Sequence, residues 1–525
     1  MSSAHSLARA VASELAHALP KDVGLSADDI VEMLAKPPKS ELGDVAIPCF
    51  KLARVLRKAP PKIAAELVPV VEQALAQLPA PLISRVIATG PYLNLMLDPG
   101  RAGARLLPAL AAEGSAIDVP TQNTRLMVEF SQPNTHKAFH VGHLRNVCLG
   151  DSLVRLLRSQ GFEVIAANYY GDVGTHIAKC LWWYLDHLTP AEREPPAANR
   201  GEWLGGIYSA AASQLGEWEE AGKSDPEATK KLAAAKARIT EVLQQLEARE
   251  PTLTEVWDQT KQWSLDDFEE IYRYCGVAFD ARFYESQVDE PGLKIVDEFL
   301  AKGVFEHSQG AIGIFNPEVK HMPFFMLRKQ DGTSLYATKD LALASLKFGQ
   351  HNIDRSIYVV DVRQSDHFRH VFLTLEKMGF AQAKACEHVP YEMVELPDGP
   401  MATRKGNVVL FRALREQMTA KITANHLEKF RGVWSDDEIT EAAHAVALGA
   451  IKYGMLARDV NQKIVFDLDA WLDVRGNTGP YLQYVHARAC SIIRECELQN
   501  PIARPEADSD DAVAACDGLD VEPID

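Results

Sequence analysis

Between a short apolar run and a helical stretch, the chain carries Glu129-Phe-Ser-Gln-Pro-Asn-Thr-His-Lys-Ala-Phe-His-Val-Gly-His-Leu-Arg-Asn146. Here a carboxylate, amides, an ammonium and two imidazoles gather around a glycine. The flanking residues say where these groups sit. Leu126, Met127, Val128 and Phe130 read as a buried strand over 125–130. Leu144, Val147, Leu149, Leu153, Leu156 and Leu157 recur at helical spacing until Gly161. A strand that turns into a helix puts the polar groups at the carboxyl edge of a sheet. There the free N–H groups and positive dipole end of the helix suit an anion such as a triphosphate. His140 and His143 also fit zinc ligation or an N-cap, but no nearby Cys or further His completes a common zinc spacing. Gly142 alone requires no more than a tight turn.

Three further clusters carry chemistry. Leu335-Tyr-Ala-Thr-Lys-Asp340 places an aromatic, a hydroxyl and a carboxylate within five residues of a strand end. Gln364-Ser-Asp-His367 follows the apolar run Ile357-Tyr-Val-Val360. Met401-Ala-Thr-Arg-Lys-Gly-Asn407 is a short cationic loop. Taken singly, Tyr336 is as well explained as core, Asp340 as an N-cap, Gln364 as a loop residue, and Arg404 and Lys405 as an exposed basic pair. A doubly wound sheet gathers strand-end loops, and it would bring all three clusters to one edge.

The elements that must position them follow from patterning. A chain of 525 residues exceeds one ordinary core, so several domains are expected. Residues 1–118 read as a small α+β domain. Leu7, Val11, Leu15 and Leu19 lie on one helical stripe, read as an amphipathic helix rather than a transit peptide. The basic run Lys51, Arg54, Arg57, Lys58 and Lys62 is a solvated face that could also meet a phosphate backbone. Residues 119–410 alternate strand and helix as in an α/β, Rossmann-like doubly wound parallel sheet, with a helical insertion over about 190–305. Asp331-Gly332 signals a hairpin that returns the chain as a strand over 334–338. Residues 411–525 read as wholly helical, ending in an acidic tail of disordered composition.

Net charge is −17, which excludes a generally basic nucleic-acid coat but not local basic patches. Eight scattered cysteines form no Cys-x-x-Cys pair, as in a reduced cytoplasmic protein. No uninterrupted apolar run approaches membrane-spanning length.

At this point the chain resembles the class I aminoacyl-tRNA synthetases, and among them the arginyl-tRNA synthetases. His140-Val-Gly-His143 is similar to the family's HIGH motif, and Glu129 to Asn134 with Lys137 resembles its lead-in. Asn168-Tyr-Tyr-Gly-Asp-Val-Gly174 and Tyr336-Ala-Thr-Lys-Asp340 resemble later signatures, and residues 401–407 resemble a degenerate KMSKS loop. Asn477-Thr-Gly-Pro-Tyr-Leu-Gln-Tyr-Val-His-Ala-Arg488 is similar to the opening of a helical anticodon-binding domain.

The resemblance implies an arginine–tRNA ligase acting with ATP, L-arginine and tRNA(Arg) as a cytoplasmic monomer. It implies Glu129, Asn134, Tyr336, Asp340 and Gln364 at the arginine, and His140, Gly142, His143, His367, Arg404 and Lys405 at the ATP. His140, His143 and Lys137 would be the catalytic groups. Mg²⁺ would arrive with ATP, without a dedicated protein metal site. Two departures stand out. Thr403 occupies the place of the second KMSKS lysine, so Lys137 is read as the substitute cation and Lys405 as its competitor. The chain stops soon after the first anticodon-domain helix, and is read as truncated there. A non-catalytic synthetase-like tRNA-binding or regulatory protein is the alternative reading.

Overall fold

In the computed structural model the described residues are 3–20, 23–37, 39–111, 121–397, 399–400 and 408–499. The chain divides into two compact units, one running to Thr121 and the other from Gln122 to Glu495. The first contains α1 (Ser3–Ala18), α2 (Ala27–Met33), β1 (Val45–Pro48), α3 (Phe50–Leu56), α4 (Pro60–Leu75), β2 (Ile83–Thr89), β3 (Tyr92–Leu97) and α5 (Pro99–Ala111). Its antiparallel sheet has the order β1-β3-β2. Val11 and Leu15 from the α1 stripe pack with Ile63, Leu67, Val86 and Leu95 in its core. Glu14, which interrupts that stripe, accepts from the Leu82 and Ile83 N–H groups at 2.8 and 3.1 Å, tying α1 to β2. Lys51, Arg57, Lys58 and Lys62 are exposed.

The second unit is organised on β4 (Arg125–Glu129), β5 (Glu163–Tyr170), β6 (Ala281–Tyr284), β10 (Arg355–Asp361) and β11 (Cys386–Tyr391). They form one parallel sheet of order β11-β10-β4-β5-β6. Period-two side-chain alternation gives the sheet two apolar faces. Leu126, Val128, Phe130, Ile357 and Val359 enter one core, and Met127, Ile165, Tyr358 and Val360 enter the other. Helices α6 (Val141–Ser159) and α10 (Pro251–Cys275) cover the first face. Helices α11 (Glu285–Ala301), α12 (Tyr336–His351) and α13 (Ser365–Lys377) cover the second. This is the expected doubly wound architecture. Strand order reverses between β4 and β10, so the loops after these two strands open onto the crevice where such folds bind ligands.

Helices α7 (Thr175–Asp186), α8 (Arg200–Ala221) and α9 (Pro226–Glu247) lie between β5 and α10. The antiparallel strands β7 (Glu306–Ser308), β8 (Ala311–Phe315) and β9 (Phe324–Arg328) precede α12.

Three sequence expectations are corrected here. The insertion expected to reach about residue 305 contains β6, a strand of the main sheet, because four residues among helical, charged sequence give no legible period. After the Asp331-Gly332 turn the chain makes only a bridge at Ser334 before Tyr336 opens α12. Ala337, Leu341, Ala344 and Phe348 follow a helical period, and that wins over the hairpin. Finally, the region beyond 410 is not wholly helical. It holds α14 (Phe411–Ile422), α15 (Asp436–Leu456), α16 (Leu468–Leu472) and α17 (Gly479–Gln499). It also holds the short strand β14 (Ile464–Val465), which pairs with β12 (Val394–Leu396), itself paired with β13 (Gly399–Pro400). No helix among the described residues is long and apolar enough to cross a membrane.

Candidate active site at the sheet switch point

The loop leaving β4 is bent through residues that rarely adopt its conformation. Ser131, Gln132 and His136 have φ of 75°, 46° and 62°, the left-handed region in which each non-glycine residue carries a cost of order 1–3 kcal/mol. A side chain from elsewhere captures the N–H of each. Ser131 donates to Asn146 Oδ1 (2.6 Å), Gln132 to Asn168 Oδ1 (3.0 Å) and His136 to Ser264 Oγ (3.0 Å). These partners lie on α6, β5 and α10, so the loop is held from three directions. Asn146 also donates to the Val359 carbonyl (2.9 Å) and the Tyr391 hydroxyl (3.0 Å), joining the loop to β10 and β11. Thr135 N–H bonds the Gly171 carbonyl, and Gly171 N–H bonds that of Pro133. A Cβ at Gly171 would collide with the Asn134 amide oxygen, so a larger residue there would displace the Asn134 side chain.

At the mouth of α6, the His140 and His143 rings stack with centroids 3.8 Å apart. The His140 N–H donates to His143 Nδ1 (3.1 Å). His143 must then carry its neutral-state proton on Nε2, as a donor pointing away from that bond. Burial, and then the Lys137 charge, hold His140 down at about 4; burial, His140 and Lys137 hold His143 well below its ordinary value. Both are neutral donors or acceptors at physiological pH. Arg145, fully buried, donates to the Gln462 carbonyl (2.8 Å) and the Asp459 carbonyl (3.2 Å), anchoring α6 to the segment after α15.

On the other side, a tyrosine with a buried hydroxyl marks an acidic pocket. The Tyr169 hydroxyl has no hydrogen-bond partner among the described residues. Burial, followed by Asp340, Glu285, Glu129 and Asp172, drives its ionisation far above the ordinary value. Three of these carboxylates have lysine partners. Glu129 is ion-paired with Lys347 of α12, both fully out of solvent, and the Lys347 ammonium lies 3.8 Å from the Tyr358 ring centroid. Glu285 pairs with Lys339 (3.1 Å), and Asp172 lies 3.8 Å from Lys261 while accepting from the Ser286 N–H (2.9 Å) and hydroxyl (2.7 Å). Burial nevertheless pushes Glu285 up to about 7. Asp340 has no lysine or arginine within 4.0 Å among the described residues; its partner is His367 Nε2 (2.6 Å). An orphan hydroxyl beside a carboxylate lacking a cation suits a planar, multiply donating cation.

Comparison with known proteins gives the family. The chain matches the family described as tRNA synthetases class I (R), catalytic domain, over residues 106–468. It matches the arginyl tRNA synthetase N terminal domain over residues 5–97. It is 42% identical to the arginine–tRNA ligase of Bdellovibrio bacteriovorus over 477 residues, 90% of this chain and 78% of that protein. The Clostridium perfringens arginine–tRNA ligase is 34% identical over 94% of this chain and 82% of its own length. A Thermus thermophilus arginyl-tRNA synthetase structure superposes with a TM-score of 0.70 at 28% identity, covering 94% of this chain and 82% of that one. The chain belongs to the class I arginyl-tRNA synthetase family.

Within this arginyl-tRNA synthetase fold, the residues expected from sequence are distributed unevenly. Asn134 meets β5's exit through the Asn134–Gly171 bridge, and Gly142 is the second residue of α6. Asp340 and His367, expected at different substrates, touch each other. Tyr336, at the first position of α12, is 60% exposed, and Gln364, before α13, is also exposed. Glu129 is buried, with one oxygen toward Lys347 and the other accepting from Gln132 Nε2 (2.9 Å). Arg404 and Lys405 lie outside the described residues. Sequence reading missed Tyr169, Asp172, Glu285 and Lys347. Tyr169 and Asp172 lay within a quoted motif without a role, whereas Glu285 and Lys347 gave no local signal, being an acid and a lysine on helices.

Proposed function

We propose that the chain joins L-arginine to tRNA(Arg) in two steps: activation by ATP to arginyl-adenylate, then transfer to the 3′-terminal ribose. Arginine's carboxylate oxygen attacks the α-phosphorus and pyrophosphate leaves; the ribose hydroxyl next attacks the activated carbonyl and AMP leaves. The observation carrying this reading is Asp340, the one carboxylate around Tyr169 without a lysine or arginine neighbour among the described residues.

In this reading Asp340 takes the guanidinium by paired charge-assisted hydrogen bonds, and His367 orients the carboxylate rather than contacting ATP. Glu285 supplies a second acidic contact, the Tyr169 hydroxyl accepts an N–H, and Tyr336 closes over the side chain. Asn134 and Gln364 hold the polar ends of the amino acid. Glu129, committed to Lys347 and Gln132, contributes negative potential near the α-amino group.

On the nucleotide side, Lys137 and the Nε2 donor of His143 meet the phosphates with His140, and Gly142 admits the adenine to the start of α6. Arg404 and Lys405 contact ATP. The attacking carboxylate is already ionised, so activation needs positioning and charge stabilisation rather than a general base. Mg²⁺ enters with ATP as part of the substrate. The chain acts as a cytoplasmic monomer. No observation favours the non-catalytic alternative.

ATP–pyrophosphate exchange tests the reading. Exchange should require arginine and, as the family resemblance implies, tRNA(Arg). A complete reaction at background, beside an active relative run in parallel, would sink it.

A further inference from the structure

Helix α8 lies far from the HIGH-like stretch in sequence, yet it is packed against the backbone just after Lys137. A Cβ at Gly205 would collide with the Ala138 backbone nitrogen, and its side chain would stand only 2.7 Å away. Three residues on, and so on the same helical face, Tyr208 is 9% exposed. Its neighbours in the packed interior include Cys180, Tyr184, Leu204 and Ile207. The Lys137 ammonium lies 5.3 Å from the Tyr208 ring centroid, and that of Lys179, on α7, lies 5.7 Å from it. Two cations therefore share one largely buried ring.

A ring holds a lysine differently from a carboxylate. It attracts the ammonium through its quadrupole, adds no opposing charge, and acts more strongly where water is excluded. A carboxylate would hold the same group while cancelling the field it offers to a phosphate. Lysine's four-carbon stem makes such restraint worthwhile, because an unheld ammonium spends its time in many rotamers.

We propose that Tyr208 is a positioning residue, its ring fixing the Lys137 ammonium where it meets the ATP phosphates, with Gly205 bringing α8 close enough to do so. This rests on the phosphate role proposed above for Lys137. The packing reading, in which Tyr208 only fills the core, forecasts additive losses in the Lys137→Met background and a flat response to ring fluorination.

The experiment is tRNA-dependent ATP–pyrophosphate exchange on the full chain, with kcat and both KM values read separately. Tyr208→Phe keeps the ring and should stay within about twofold of the native protein. Tyr208→Leu should lower kcat by roughly 5- to 30-fold, the range of a desolvated cation–π contact, with arginine KM unchanged. In a Lys137→Met background, the same Leu substitution should add less than about twofold, because the group it positions is gone.

Should the Leu variant fail to fold, 4-fluoro-, difluoro- and trifluorophenylalanine at 208 weaken the ring's quadrupole while nearly keeping its volume. The logarithm of kcat should then fall stepwise with fluorination. Flat kcat across the fluorinated series, additive losses in the double variant, or a Phe variant as damaged as Leu would each overturn the positioning role. A native chain without exchange would instead refute the ligase reading, and an unaffected Lys137→Met would refute the phosphate role of that lysine.

Discussion

The two walls of the site are held by different forces. On the side proposed to take the nucleotide, the loop after β4 is pinned by neutral hydrogen bonds: Asn146, Asn168 and Ser264 capture the N–H groups of its three left-handed residues. His140 and His143 beyond it are stacked and uncharged. On the opposite wall, carboxylate pairings do the holding, two of them buried. Glu129 leans on Lys347, Glu285 on Lys339, and Asp340 on His367. A triphosphate brings its own charge and benefits from donors already fixed, since their orientation costs nothing at the moment of reaction. A guanidinium must be told apart from neutral look-alikes, and a pocket that leaves a carboxylate uncompensated penalises any ligand that fails to pair with it. Preorganisation on one wall and charge imbalance on the other match what each proposed ligand would bring.

If that division is real, substitutions on the two walls should move different constants. The largest effect belongs to Asp340→Asn. Losing a charge-assisted bidentate contact, worth about 1.5–3 kcal/mol, should raise arginine KM by roughly 10- to 150-fold and leave ATP KM within about twofold in steady-state exchange. Equal losses for both ligands would merge the two walls.

Next comes Asn168→Leu, which orphans the Gln132 N–H and removes the 3.0 Å bond to the Tyr272 hydroxyl. Urea unfolding should show a loss of about 1–3 kcal/mol, with kcat lowered and arginine KM unchanged. An arginine KM that rose as steeply as in Asp340→Asn would break the comparison.

The smallest effect is a pH dependence. Glu285 is raised to about 7 from an ordinary 4.5, chiefly by burial. Its ionised form is the one that attracts a guanidinium, so arginine KM should fall a few-fold between about pH 6 and 8, and Glu285→Gln should flatten that profile. Stability runs the other way. A raised acid contributes stability that is fully present below its unfolded value and lost as pH rises through about 7, so the pocket gains affinity while the fold loses a little stability. A profile that keeps its inflection in the Gln variant would assign the titration to another group.

Much of this was legible from the chain alone, because it is local. The run Leu126-Met-Val-Glu129 and the helical repeat from Leu144 predict a strand and a helix, and they bracket β4 and α6 to within a few residues. The polar loop between them is then placed at a sheet edge by the fold class itself. Asp340 was singled out by its motif, although its expected hairpin strand is the first turn of α12.

What the sequence could not show is pairing across distance. Lys347 reads as one more lysine on a helix, yet it is completely buried against Glu129 and the Tyr358 ring. Glu285 opens α11, and Tyr208 belongs to an insertion with no motif. Periodicity reports the period of a segment and which of its faces is apolar. It carries no information about which charge on another segment the sheet order will set opposite, and the acidic pocket and the ring beneath Lys137 depend on that order. The sequence by itself determined β4, α6 and the polar loop between them; the tertiary structure decided which charges were paired and left Asp340 without a lysine or arginine neighbour among the described residues.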